Sequence, residues 1–296
     1  RDFFVLRRDE ANVAALLGRL LRRASPVSVG GRKQGKVFGV LAAHPYDGIA
    51  FLGEHLTLAC AERLAKTERT LLLDVSTPAG AGAVFLNINQ TYGVLDAIND
   101  VSRADPTLID SAFPKHGSGI YVLSMPEDAV GPPSYDPEEL NKLVGVLRGL
   151  FGCIVVTLDG HMPMPVLRST ISLADRTLVV TDQSILKSRH SKYLLRALRL
   201  EDTPLEHVGL VVDNYRRRVG LEPENLAELL DLPIAATLST QITNRIQSMN
   251  QGEPLFSCAP KDEYCAGVRS LAATLLGMEA ARPAQGPGGL LGRLFT

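Results

Sequence analysis

Short apolar runs alternate with longer amphipathic segments along most of the chain. The runs that predict strands cover residues 37–42, 70–75, 119–124, 153–158, 177–181, 209–213 and 234–238. Most of them are continuously apolar, which is typical of strands buried on both faces of a parallel sheet. Helical patterns lie between them at residues 53–66, 136–150, 163–173, 184–199, 222–230 and 263–277. Because strand and helix alternate in this way, the sequence predicts an α/β fold with a doubly wound, mostly parallel sheet flanked by helices.

The two ends of the chain depart from this alternation. Residues 1–24 show one short strand pattern and one amphipathic helix, and a Gly/Ser/Pro-containing connector follows up to residue 35. A single strand–helix unit cannot bury both of its faces, so we expect residues 1–35 to be the end of a truncated preceding domain or a linker helix. The main domain then covers residues 36–280, and residues 281–296 form a flexible tail.

The tail carries four apolar side chains that would share one side of a helix: Leu290, Leu291, Leu294 and Phe295. Such a short segment with a single arginine would bind a membrane only weakly. A mobile tail is favoured, and contact with a membrane or with a partner's groove stays open.

Composition narrows the classes of function. The 31 basic and 32 acidic residues give a net charge of −1, and the basic residues are spread along the chain, so a nucleic-acid partner is not expected. None of the four cysteines belongs to a CxxC pair, which favours a reduced, cytoplasmic protein. The sequence has no run of 18 apolar residues and no signal-peptide pattern, so neither membrane insertion nor export is indicated.

The loop after the first strand, "AHPYDGIA", stands where a phosphate-binding loop lies in α/β nucleotide-binding proteins. Such a Walker A loop needs a lysine for the β/γ oxygens and a hydroxyl for magnesium. Aligned on Gly48, the lysine position is Ile49 and the hydroxyl position is Ala50. Asp47 would repel a triphosphate. The lost bond and this repulsion together would weaken nucleotide binding roughly a thousandfold, and hydrolysis would suffer more.

The loops after the second and fourth strands carry acidic residues. Asp74 has two interpretations: an active carboxylate, or a structural cap of the following turn. A Walker B carboxylate is expected directly after Val156, but that residue is Thr157, and Asp159 comes two residues later. The pair Asp159 and His161 resembles a catalytic dyad or a metal site, although a polar loop is favoured.

Three other polar features are weaker signals. His44 is favoured as a surface loop histidine over a reactive base. The three arginines at 216–218 are favoured as a solvated face over a site for an anionic partner. The helix at 188–199 has a basic face beside a leucine stripe, and the stripe is expected to pack in the core.

The chain resembles the ParA/MinD superfamily of deviant Walker A ATPases, and within it the pilus-assembly branch called TadZ or CpaE. The segments that carry the resemblance are "GKVFGVLAAHPYDG", "TLLLDVSTPAGAGAVFLNI", "DPTLIDSAFPKHGSGIYVLSMPEDA", "ADRTLVVTDQS", "GLVVDNYRRRVGLEPENLAELLDLPIAATLS" and "RIQSMNQGEPL", in the order of that branch. The resemblance covers most of the chain and implies a P-loop NTPase-like fold. Residues 1–24 look like the end of the receiver-like domain that precedes the ATPase-like domain in that branch.

Carried over position by position, the resemblance implies a vestigial nucleotide site. Its members are His44, Asp47, Gly48, Ile49, Ala50, Asp74, Thr157 and Asn214. The signature lysine is replaced by His44, the catalytic lysine by Ile49 and the magnesium hydroxyl by Ala50. Thr157 replaces the Walker B aspartate, whereas Asn214 stands where relatives contact the adenine base. We therefore expect no catalytic residue, no metal site and no cofactor.

The expected function is that of a non-catalytic scaffold, a pseudo-ATPase. The resemblance implies a homodimer that localises or assembles the secretion machinery of a tight-adherence (Flp, type IVb) pilus, with machinery proteins such as the assembly ATPase as partners. The implied location is the cytoplasm, at a cell pole on the inner face of the cytoplasmic membrane, with at most weak membrane contact.

Two alternatives stay open. One is a ParA/MinD-like switch that binds ATP with Mg through an atypical loop, for which a lysine from elsewhere, such as Lys187, would have to reach the site. The other is a DNA-segregation module, against which the near-neutral charge weighs.

Overall fold

The predicted strands all occur, and they form one parallel sheet. Within the described residues they are β1 (Lys36–Ala42), β2 (Thr70–Asp74), β3 (Tyr121–Ser124), β4 (Cys153–Asp159), β5 (Arg176–Thr181), β6 (Val208–Val212) and β7 (Ile234–Thr237). Their order across the sheet is β3-β2-β4-β1-β5-β6-β7, and each pair of neighbours is parallel. The predicted fold class is confirmed.

The computed structural model describes residues 34–128 and 135–278, and for Asp47 it describes the backbone alone. The described residues from Gly35 onward belong to one unit. The elements predicted for residues 1–24 lie outside the described residues, and so do the tail side chains Leu290, Leu291, Leu294 and Phe295.

Helices connect the strands. They are α1 (Asp47–Arg63), α2 (Ala81–Val84), α3 (Val94–Asn99), α4 (Pro106–Ala112), α5 (Pro137–Leu147), α6 (Met164–Leu173), α7 (Ile185–Leu200), α8 (Pro223–Leu230), α9 (Ile242–Gln251), α10 (Leu255–Cys258) and α11 (Glu263–Leu275). A 3-10 turn lies at Val101–Arg103. The predicted helices correspond to α1, α5, α6, α7, α8 and α11.

The sheet separates two apolar cores, because successive side chains of a strand point to opposite faces. In β1, Val37 and Leu41 belong to one core, whereas Phe38 and Val40 belong to the other. The first core is covered by α5, α6, α7 and α8, and the second by α1 and α11. Both faces of β1 are therefore buried, as the unbroken apolar run predicted.

The start of α1 differs from the prediction. Residues 43–50 were expected to form a loop, with a helix from residue 53, but α1 begins at Asp47. Gly48 and Pro45 suggested a longer loop. Ile49 and Ala50 instead belong to the first turn of α1 and are almost completely buried. The apolar contacts of Ile49 with the second core outweigh the local preference for a loop.

Two other features bear on the predictions. In the part of the chain that the structure describes, no helix has the length and apolar character needed to span a membrane. Cys60 and Cys153 are buried in the core, as predicted, and all four cysteines are free thiols.

Candidate functional site

The loop after β1 lies at the centre of the carboxyl edge of the sheet. β1 is paired with β4 on one side and with β5 on the other. From β1 the chain moves first to one side, through β2 and β3, and later to the other, from β5 onward. Ligands of doubly wound folds bind at such reversal points, so the four residues 43–46 occupy the position of a phosphate-binding loop.

The side chain of Tyr46 fills the space beside Gly48, which lies in the first turn of α1. A Cβ placed on Gly48 would collide with the Tyr46 ring and would lie 2.7 Å from Oδ2 of Asp213. Glycine is therefore required at position 48 by the packing of protein atoms. The Tyr46 hydroxyl oxygen is buried without a hydrogen-bond partner, and burial raises the pKa of this phenol well above its usual value.

Lys187 of α7, which the sequence analysis named as a lysine that could serve the site from elsewhere, reaches this loop. Its ammonium lies 4.3 Å from the centroid of the Tyr46 ring and 2.7 Å from Oδ2 of Asp182. The cavity between the loop and α7 measures only about 10 Å³. That is room for about one water molecule. The lysine thus contacts the loop as part of a packed cluster whose charge is already balanced by a carboxylate.

The loop backbone also lacks the form of an anion cradle. Such cradles are made by successive N–H groups in alternating right- and left-handed conformations. No residue from 43 to 46 has a positive φ, and Pro45 has no N–H. Ile49, at the catalytic lysine position, is fully buried in the second core. The side chain of Asp47 lies outside the described residues, so its predicted repulsion of phosphate stays a prediction.

Asp74, at the end of β2, has the geometry of a structural cap. Its buried carboxylate accepts hydrogen bonds from the hydroxyl of Thr157, from the hydroxyl (2.7 Å) and N–H (3.3 Å) of Ser76, and from the N–H of Gly82 (2.7 Å). Burial raises the pKa of Asp74, and the hydrogen bonds from Thr157 and Ser76 oppose that rise. These bonds join β2, β4 and α2. Asp74 and Thr157, two of the predicted site residues, are thus hydrogen-bonded to each other.

Asp159 is not in a loop, which corrects the prediction. It is the last residue of β4 and lies beside Ala42 of β1. The strand continues one residue further than its apolar run because the carboxylate is satisfied at the sheet edge. It accepts hydrogen bonds from the N–H (2.6 Å) and hydroxyl (2.7 Å) of Thr77 and from the N–H of His161 (2.8 Å). Asp159 and His161 therefore interact through a backbone group and do not form a dyad.

His44 has two histidine neighbours that are distant in the sequence. Its ring centroid lies 4.1 Å from that of His190 and 5.4 Å from that of His161. Burial lowers the pKa of His44, and the two neighbouring histidines lower it further. Among the described residues, no group of three or more His, Cys, Asp or Glu side chains has the arrangement of a metal site. The cluster brings together the loop after β1, the loop after β4 and α7.

A buried ion pair lies beneath Gly48. Arg245 of α9 donates a hydrogen bond to Oδ1 of Asp213 at 3.1 Å, and another guanidinium nitrogen lies 3.0 Å from Oδ2. The guanidinium also lies 4.4 Å from the centroid of the Phe51 ring. Asn214, the expected adenine contact, follows directly with φ +51° and a buried amide oxygen without a partner. The sequence analysis missed Arg245, although Gly252 and Pro254 mark the end of its helix.

These residues do not fit a magnesium nucleotide, which the fold would imply as a cofactor. Among the described residues, two features match such a ligand: the amide oxygen of Asn214, which has no hydrogen-bond partner there, and the ammonium of Lys187 beside the loop. Against such a ligand stand the apolar Ile49, the absence of a backbone cradle in residues 43–46, and a cavity too small for a phosphate group beside Tyr46. The carboxylates of Asp74 and Asp159 are engaged by protein donors.

Comparison with known proteins gives structural matches alone. No family model matches the sequence, and no curated protein matches it. A ParA family ATPase from Chlorobium tepidum is 17% identical, with a TM-score of 0.71, over 80% of this chain and 98% of that chain. The chain in the MinC:MinD cell division complex of Aquifex aeolicus is 19% identical, with a TM-score of 0.67, over 85% of this chain and 100% of the other.

MinD of Pyrococcus horikoshii, complexed with Mg-ADP, is 16% identical with a TM-score of 0.63, over 84% of this chain and 100% of that chain. The three structures have the same strand–loop–helix architecture over nearly their whole length. The protein therefore has the fold of the ParA and MinD ATPases.

Proposed function

We propose that the protein is a non-catalytic scaffold, a pseudo-ATPase that acts through protein contacts. The observation that carries this proposal is the loop after β1: Tyr46 packs against Gly48, and the buried Ile49 occupies the place of the catalytic lysine. A charged phosphate there would meet no cation in the loop and no nest of N–H groups.

The finer role rests on the order of the sequence motifs. That order is the one of the TadZ or CpaE branch, which supports a homodimer that localises or assembles the secretion machinery of a tight-adherence pilus. The assembly ATPase of that machinery is the expected partner, and a cell pole on the inner face of the cytoplasmic membrane is the expected location. The A. aeolicus MinD is known in a complex with MinC, so the fold is compatible with a partner-binding role.

Calorimetric titration with ATP and magnesium tests the proposal, with the mass measured by light scattering before and after. We expect no heat of binding and the mass of a dimer in both measurements. Micromolar binding accompanied by a change of mass would overturn the scaffold and make the protein a nucleotide-gated switch.

The second candidate is that switch, and Lys187 favours it. Its ammonium is in contact with the Tyr46 ring, and under this hypothesis it is the cation that binds a phosphate from outside the loop. If ATP binds, Lys187→Ala should abolish binding under this hypothesis, whereas the exposed Lys192→Ala on the same helix should not. If neither variant changes a null titration, the switch is rejected.

A further inference from the structure

The outer face of α7 exposes apolar and basic side chains in one stripe. The helix packs on the domain through Ser188, Ser191, Leu195 and Leu198. Its opposite face presents Ile185, Arg189, Tyr193, Arg196 and Leu200, at spacings of three and four residues. Large apolar side chains are rarely left so open: Ile185 is 67% exposed, Tyr193 54% and Leu200 77%. Such an exposed stripe is typical of an interaction site.

The loop after β6 extends this stripe beyond the start of α7. The N–H of Arg216 donates to Oε1 of Gln183 at 2.7 Å, and Gly220 packs against the same glutamine. This contact holds three exposed arginines and Val219, which is 71% exposed, near Gln183, two residues before α7 begins at Ile185. We call the combined surface the α7 patch. It comprises Ile185, Leu186, Arg189, Lys192, Tyr193, Arg196, Arg216, Arg217, Arg218 and Val219.

The cations of the α7 patch lack carboxylate partners among the described residues. α7 contains no acidic residue. Its two basic residues that do form ion pairs, Lys187 with Asp182 and Arg199 with Asp231, lie outside the patch. Six cations thus face solvent in a chain whose net charge is −1. This local excess attracts a partner of opposite charge and speeds its association.

We propose that the α7 patch docks an acidic amphipathic helix of a partner protein. This inference rests on the proposed scaffold function, for which it supplies the partner-binding surface. A helix with Leu or Ile at every third or fourth position and Glu or Asp between them would match the alternation of apolar and basic side chains along α7. Arg and Tyr, the most frequent anchors of protein interfaces, stand at the centre of the patch.

The alternation disfavours other occupants. A membrane would need a continuous apolar face, but in the α7 patch the guanidinium group of Arg189 separates Ile185 from Tyr193. A nucleic acid would bind the cations through its phosphates, but it would not contact the exposed aliphatic side chains. A symmetric dimer through this face would place arginine against arginine.

The test uses the full chain and labelled 18-residue helical peptides. Each peptide carries leucine on one helical face with glutamate beside it, in four helical phases, and matched peptides carry lysine in place of glutamate. Fluorescence anisotropy is measured at 50 and 300 mM NaCl. We expect at least one glutamate peptide to bind, with affinity at least tenfold lower at the higher salt concentration, and the lysine peptides not to bind.

Variants assign the binding to the patch. We expect Arg189→Glu/Lys192→Glu/Arg196→Glu to lower the peptide affinity at least tenfold, and Leu186→Ser/Tyr193→Ser to do the same without removing charge. The control Lys66→Glu/Lys142→Glu/Lys261→Glu has the same change of charge at exposed sites elsewhere and should change affinity less than twofold. Failure of every glutamate peptide to bind, or equal effects of both charge reversals, overturns the proposal.

Two further probes separate the other classes of partner. A 24-base-pair DNA duplex and vesicles of phosphatidylcholine and phosphatidylglycerol are titrated in parallel. Patch-dependent binding to either, stronger than to any peptide, overturns the proposal in favour of that class. ATP titration of the same variants distinguishes the two hypotheses: ATP binding with patch-dependent peptide binding rejects the pseudo-ATPase and keeps the docking surface.

Discussion

The carboxyl edge of the sheet and the α7 patch are both rich in polar side chains. The carboxylates at the edge are bonded to groups of this chain, whereas the cations of the patch face solvent. At the edge, Asp74 accepts four hydrogen bonds and Asp159 accepts three, all from this chain. Asp213 is paired with a buried arginine. On the α7 patch, six cations have no carboxylate partner among the described residues and stand beside exposed Ile, Leu, Tyr and Val side chains.

This difference separates residues that hold the fold from residues that are free to bind. A carboxylate whose oxygens are all occupied cannot also hold magnesium without losing its present partners. An exposed cation beside an apolar side chain loses little when a partner arrives, because few protein contacts have to be broken. The comparison predicts large losses of stability from changes at the edge and small losses from changes in the patch.

Arg245→Met should cause the largest loss. It leaves the carboxylate of Asp213 buried and unpaired, which is expected to cost about 3–5 kcal/mol in the free energy of unfolding. Urea denaturation measures the loss. The double variant Arg245→Met/Asp213→Asn, which removes both charges, should recover most of it. A single-variant loss below about 1 kcal/mol would show that the pair is solvated and would weaken the contrast.

Asp74→Ala should rank second. The donors of Thr157, Ser76 and Gly82 would stay buried without an acceptor, and we expect a loss of about 2–4 kcal/mol. Asp74→Asn keeps one acceptor oxygen and should lose less. If both variants are as stable as the parent protein, the carboxylate has no structural role, and its assignment as a cap is wrong.

Glu54→Gln should stabilise the protein at neutral pH. Both carboxylate oxygens of Glu54 are buried and have no hydrogen-bond partner among the residues that the structure describes. The neighbouring His55 has its Nδ1 2.8 Å from the carbonyl of Phe51, and its Nε2 accepts from the N–H of Leu255. With Nε2 accepting, Nδ1 carries the proton and donates it to Phe51, so the ring does not serve Glu54, even though Nδ1 lies 3.0 Å from Oε1.

The sign of the effect follows from the pKa of Glu54, which burial raises. A raised folded-state pKa gives stability that is complete below the unfolded-state pKa, near 4.5, and is lost as pH rises through the folded value. We expect Glu54→Gln to gain about 1–3 kcal/mol at pH 8 and nothing near pH 4, measured by urea denaturation at both pH values. A gain independent of pH would contradict this account.

The triple reversal Arg189→Glu/Lys192→Glu/Arg196→Glu should have the smallest effect on stability. Exposed substitutions away from caps and ion pairs change stability little, so we expect the variant to have the same free energy of unfolding as the parent protein, within the error of urea denaturation. Its companion, Lys66→Glu/Lys142→Glu/Lys261→Glu, should behave alike. A much larger loss for the patch variant alone would mean that the α7 patch is part of the packed structure.

The sequence predicted the sheet well because a strand that is buried on both faces has a continuous apolar run in its own sequence. Each predicted strand agrees with the observed one to within two residues. Helices α2, α3 and α10 have four to six residues, too few for a periodic pattern. α4 and α9 carried readable end signals, Asp105 before Pro106 and Gly252 with φ +63°, that were not used.

The sequence analysis named residues of the candidate site, but it did not predict which of them are in contact. The assignment of Ile49 to the lysine position rests on the sequence alone and stays a prediction. The contact of Lys187 with Tyr46 joins residues 141 positions apart, and that of Asp213 with Arg245 spans 32. Such pairings depend on the order of strands in the sheet, which one sequence does not reveal. For the same reason the clustering of His44 with His161 and His190 was not predicted.

The order of strands in the sheet also determines how long β1 lacks its neighbours while the chain is being translated. β1 lies at the centre, yet its partners β4 and β5 begin at Cys153 and Arg176, which follow Lys36 by 153 − 36 = 117 and 176 − 36 = 140 positions. At ribosomal speeds of 5–20 residues per second, β1 waits roughly 6–23 s for its first neighbour to be synthesised. During that time a strand that is buried from Val37 to Ala42 in the folded protein has neither hydrogen-bonding edge covered. The nascent chain is therefore most prone to aggregation while the residues between β1 and β4 are being translated.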